Sequence, residues 1–106
     1  MNKLLQLTGA FYDETRITIV AFLLTHGESC VCELSESLGL IQSRLSRHVG
    51  ILYDAGILSM RRNGKWVYYA IRDDLDGAAK ALINEVNTLK LQMPPKIDAC
   101  KIKKGE

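Results

Sequence analysis

Cys30-Val31-Cys32 puts two thiols one residue apart. With Ser29 read as the N-cap of a short helix, both thiols fall in a first turn, where the helix dipole favours thiolate. Thiolates are the ligands that soft metals and metalloids select. Residues i and i+2 do not face each other on a regular helix, so one ion gripping both sulfurs has to bend or unwind that turn. Other uses of the pair stay open. Small buried cysteines often only pack, and a strained disulfide or a redox switch is a further use. Tetrahedral zinc is poorly served by three cysteines and two histidines with no evident grouping.

A second set of reactive groups is basic. Residues 42–72 carry six basic side chains (Arg44, Arg47, Arg61, Arg62, Lys65, Arg72) against Asp54, a net +5 in a chain of net +2. Residues 13–41 carry −4. A single-signed block points to a face built for a polyanion, because a merely solvated face normally mixes its signs.

These groups need elements to position them. Leu4, Leu5, Leu7 and Phe11 predict a short first helix, which Gly9 weakens. Asp13 is a good N-cap for a helix with Ile17, Val20, Leu23 and Leu24 at helical spacing, ending at Gly27. After Ser29, the stripe of Val31, Leu34 and Leu38 predicts a short helix closed by Gly39. Leu45, Val49 and Leu52 predict the next, from Gln42 or Ser43 to Gly56. Two helices joined by Gly39-Leu40-Ile41, the second basic, form a helix-turn-helix pattern.

The period then changes. Leu58–Arg62 and Lys65–Ile71 flank Asn63-Gly64, a hairpin signal that predicts a type I′ turn. Trp66, Tyr68 and Ala70 alternate with Val67, Tyr69 and Ile71, and the aromatics are read as packing residues. Leu75, Ala79, Leu82, Val86 and Leu89 predict a last long helix that stops before Pro94-Pro95. The expected fold is mainly α with a small β-hairpin, a winged helix-turn-helix. The expected domain spans residues 1–93, with 94–106 a flexible lysine-rich tail.

On such a fold an α-helix enters the major groove and its N-terminal residues reach base edges, which nominates Gln42, Ser43, Ser46 and Arg47, with Arg44 beside them. Gly50 lies on the same side as Ser43 and Arg47, where a small residue permits close approach or is simply tolerated. His48 joins the candidate DNA-facing set. Its place three after Leu45 and four before Leu52 is core-facing, however, where packing or capping competes with a phosphate contact. Arg61, Arg62 and Lys65 crowd the hairpin tip, where like charges repel unless phosphates lie opposite.

At 106 residues the chain holds one domain, and its 47% hydrophobic content argues against disorder. Ile17–Leu24 is too short to cross a bilayer, and the N-terminus lacks the apolar stretch of a secretory signal. A cytoplasmic protein with reduced thiols is expected, with no contact with membranes. No constellation for catalysis is present, so an enzyme is not expected. A thiol oxidoreductase would need a cleft and a βαβ pattern that the sequence lacks.

Asp13-Glu14-Thr15-Arg16, Cys30-Val31-Cys32-Glu33-Leu34, Gln42-Ser43 with Leu45-Ser46-Arg47-His48, and Gly64-Lys65-Trp66-Val67-Tyr68-Tyr69 together resemble the ArsR family of winged-helix metalloregulatory repressors. The match runs in order from about residue 4 to 91 and is nearest to the arsenite-responsive members. The resemblance implies a homodimer formed by the first and last helices and bound to double-stranded operator DNA. It also implies release when As(III) or Sb(III), as inducer, binds Cys30 and Cys32. Arsenite-type motifs carry a third cysteine where this chain has Ser35, so Cys100 is the candidate third ligand, from either subunit, with a small thiol or solvent ligand as the alternative. The zinc-type ligands on the last helix lack their histidine between Asp74 and Leu91, and the N-terminal cysteines of cadmium/lead-type members are absent from residues 1–29. A thiol-based redox sensor of the same fold is the alternative.

Overall fold

The Asp13 carboxylate accepts the Arg16 N–H at 3.1 Å and so starts the helix around which the rest is built. In the computed structural model, which describes residues 1–98, that helix (α2, Glu14–His26) follows α1 (Asn2–Phe11). Gly9 does not interrupt α1. Ile19 to Leu23 of α2 are all buried, so its middle is covered on nearly every side, beyond the single stripe that Ile17, Val20, Leu23 and Leu24 predict. It ends at Gly27 as expected.

Ser29–Cys30 form β1, a two-residue strand that the sequence reading lacks. Helix α3 (Val31–Leu38) starts immediately after it, with Cys30 rather than Ser29 as N-cap. Gly39 closes α3 at φ 69°, a left-handed conformation that a Cβ disfavours. Ser35 Oγ donates to the Leu40 carbonyl, fastening the turn at residues 39–41. Helix α4 (Gln42–Asp54) then buries Leu45, His48, Val49 and Leu52.

Strands β2 (Leu58–Asn63) and β3 (Trp66–Ile71) form the hairpin, and β1 adds to β3, giving the antiparallel order β1-β3-β2. The turn differs from expectation by one residue. Asn63 pairs with Trp66, so Gly64-Lys65 is the turn, and of these only Gly64 has positive φ, at 64°. One left-handed residue at the first central position is the type II′ pattern, which needs glycine only there. Tyr69 and Ile71 pack on the main core, while Trp66 and Tyr68 face the other way onto Cys30 and Cys32.

Helix α5 (Gly77–Leu89) packs Ile83 and Val86 onto α2. It stops at Lys90, which takes φ 50°, well before Pro94-Pro95. The described residues after it touch the body. His26 Nε2 is 2.9 Å from the Pro94 carbonyl, Lys96 donates to the Glu28 carbonyl at 2.8 Å, and the Ile97 N–H donates to Ser37 Oγ at 2.8 Å. His26 also packs against the Phe22 ring.

A Cβ on Gly39 meets nothing within 4 Å, so substitution there carries a purely backbone cost. Gly39→Ala is expected to destabilise the fold by about 1–2 kcal/mol, read as a lowered urea midpoint. An unchanged midpoint would show that the turn relaxes freely.

Candidate nucleic-acid interface and cysteine pair

The buried stripe of Leu45, Val49 and Leu52 orients α4, leaving Gln42, Ser43, Arg44, Ser46 and Arg47 all exposed on its N-terminal half. Ile41, the N-cap, offers no side-chain acceptor to the first-turn N–H groups. This face presents donors and positive charge together, which suits a phosphate backbone and base edges. His48 departs from the set. It is 3% exposed, and its Nδ1 lies 3.0 Å from Arg16 Nη1 on α2, so the imidazole is turned into the body.

The wing residues divide. Arg61 makes a paired contact with the Glu28 carboxylate at 2.7 and 3.0 Å and lies 4.9 Å over the Tyr68 ring. The Arg61 guanidinium holds the Glu28 carboxyl below the usual carboxylate range. Arg62 is exposed, and in the ladder it stands opposite Val67. Lys65 sits in the turn with its ammonium 5.2 Å from the Trp66 ring. Arg62 and Lys65 are thus the wing cations without an internal acid partner among the described contacts.

Cys30 and Cys32 share a small buried cluster capped by Trp66 and Tyr68. They do not occupy one helical turn as expected. Cys30 has extended backbone in β1, paired with Tyr68, and only Cys32 lies in the first turn of α3. The pair therefore straddles a strand–helix boundary, where two thiols one residue apart are freed from the helical constraint that keeps i and i+2 apart. Glu33 accepts the Cys30 N–H at 2.9 Å, and Lys96 stands 3.7 Å from the same carboxylate oxygen. Cys30 is disulfide-bonded, whereas Cys32 is a free, buried thiol. The Gln42 side-chain amide donates to Cys32 Sγ at 3.4 Å. That contact links the cysteine cluster to the first residue of α4, and residue types alone gave no signal for it. Among the described residues no group of three metal-ligating side chains is assembled, and Cys100 lies outside them.

The profile of the bacterial regulatory protein arsR family matches residues 13–59, from the Asp13 cap through α4 to the start of the wing. The chain is 40% identical over 81 residues to the arsenical resistance operon repressor of Escherichia coli, covering 76% of this chain and 69% of that one. The chain belongs to the arsR family. Its arsR-family kinship extends to an arsenic resistance transcriptional regulator of Pseudomonas putida, 40% identical over 70% of this chain and 58% of the other. The solved structure of HlyU from Vibrio cholerae superposes with a TM-score of 0.71 at 33% identity, over 86% of this chain and 95% of that one. An arsR-family winged helix-turn-helix is a DNA-binding transcriptional regulator and not an enzyme. No helix among the described residues is long and apolar enough to cross a membrane.

Gly50 has open space for a Cβ. Gly50→Ala is expected to stabilise the helix by about 0.5–1 kcal/mol, raising the urea midpoint, while weakening DNA binding by intruding on the groove. A stabilised variant with unchanged DNA affinity would make Gly50 a tolerated surface glycine.

Proposed function

We propose that this chain is a metalloid-responsive repressor that binds operator DNA as a homodimer and releases it when As(III) or Sb(III) is taken by cysteine thiolates. The carrying observation is the position of the cysteine cluster. Cys30 is paired with the wing strand and Cys32 is bonded to the first residue of α4. A pyramidal ion drawing Cys30 and Cys32 together, with Cys100 as the third ligand, would disturb both DNA-facing elements at once. The arsenical-resistance names of the relatives support the same inducer class. Exposed Leu4 and Leu5 on α1, with Leu89 and Leu91 at the end of α5, support a dimer seam along the first and last helices.

Gln42, Ser43, Ser46 and Arg47 are the proposed base-reading residues, with Arg44, Arg62 and Lys65 on phosphates. Arg61 joins them by exchanging Glu28 for a phosphate. Arg47→Ala is expected to cost about 1–3 kcal/mol on the selected duplex and to relax preference at one base pair. An equal loss on random DNA would make Arg47 a phosphate contact.

The deciding measurement is anisotropy of the reduced protein on a duplex selected from a random pool, titrated with arsenite. Release at micromolar arsenite is expected, lost in Cys30→Ser/Cys32→Ser and weakened in Cys100→Ser. The disulfide at Cys30 favours a second reading, oxidant sensing by the same thiols. Indifference to arsenite with reversible loss of binding under peroxide would select it.

A further inference from the structure

Arg16 makes more polar contacts than any packing role requires. Its Nε donates to the Ala10 carbonyl at 2.9 Å and its Nη2 to the Gly9 carbonyl at 3.2 Å, closing the last turn of α1. Its Nη1 lies 3.8 Å from the Asp13 carboxylate and 3.0 Å from His48 Nδ1. One guanidinium therefore joins the end of α1, the start of α2 and the middle of α4.

A guanidinium can only donate, so Nδ1 must be the acceptor and the imidazole must be neutral with its proton on Nε2. That Nε2 is buried and has no hydrogen-bond partner among the described residues. Protonating the ring would turn Nδ1 into a second donor facing Arg16 and bring two cations together away from water.

We propose that Arg16 and His48 form a clasp that positions α4 against α1 and α2, closing only while His48 is neutral, so that DNA binding is lost on acidification. The proposal rests on the DNA-facing reading of α4. The groups acting on the imidazole are Asp13 and Arg16 from α2 and its cap, and Arg44 and Arg47 from α4. Burial, the largest influence, holds the His48 pKa below its ordinary value near 6.5; Asp13 opposes this, and the three arginines reinforce it. The unfolded chain thus binds the proton more readily than the folded one. Stability is full above the ordinary histidine value and declines as pH falls toward the depressed one.

The sign of the effect separates this from general electrostatics. Protonating an exposed histidine adds charge and tightens binding to phosphates. Opening the clasp must weaken it, by up to about tenfold per pH unit below the His48 midpoint for one linked proton. The test measures affinity of the reduced full chain for its selected duplex between pH 8 and 5, with the His48 titration followed by imidazole nitrogen NMR. Binding should weaken in step with His48 protonation. The loss should persist in His26→Gln and disappear in His48→Asn, whose amide oxygen can accept from Arg16 without titrating. Affinity that holds or rises through the His48 titration would overturn the clasp, as would an acid loss retained in His48→Asn. Should His48→Asn not fold, the match or mismatch of the two wild-type midpoints decides. No DNA binding at pH 8 would instead refute the reading of α4.

Discussion

The peptide unit of Cys30 is held from two sides at once, and the convergence of α3 and the wing follows from that. Its N–H donates to the buried Glu33 carboxylate, and its residue pairs with Tyr68 across the sheet. The first contact starts α3 and the second brings the wing strand to the same point. A charge-assisted hydrogen bond away from water is among the stronger contacts a small domain can make. It is placed where strand, helix and wing converge, so that α3, the short turn at residues 39–41 and α4 all inherit their orientation from it.

Around this point the two elements proposed to face DNA differ in how they are held. Helix α4 is fixed by a fully buried stripe, and its exposed side chains are displayed by the core beneath them. The wing is fixed at its base, by Leu58 beside Ile71, and becomes exposed toward its tip. Arg61 and Glu28 are half-exposed, and such a pair contributes at most about 1 kcal/mol. A contact that weak can be surrendered when a phosphate arrives, so an internal ion pair and a role on DNA are compatible for Arg61.

Much of this was legible in the chain. Asp13, Gly27 and Gly39 act locally, through a cap carboxylate and through backbone freedom, and they stand where local chemistry places them. The Leu45, Val49 and Leu52 stripe likewise oriented α4 from periodicity alone. The hairpin existed where Asn63-Gly64 announced it, but its register did not follow. Placing Gly64 first in the turn leaves one left-handed residue instead of two, and the register that sets Leu58 opposite Ile71 prevails over one that turn chemistry leaves close. Helix α5 ends at Leu89, before the prolines as expected, since a proline forbids continuation without requiring that a helix reach it.

What the sequence determined by itself is therefore the set of elements, their order, the basic faces and the presence of a closely spaced thiol pair, because each depends on residues near one another in the chain. Tertiary structure alone decided which of those groups meet. Strand β1 exists because β3 is there to pair with it, two residues being too few to carry a periodic signal. Cys32 meets Gln42, and His48 meets Arg16 across 32 positions, only because α2, α3 and α4 pack on one core. No local preference encodes such contacts. They follow from the burial that packing imposes, and that burial turned His48 from a residue on a basic helix into one held inside the fold.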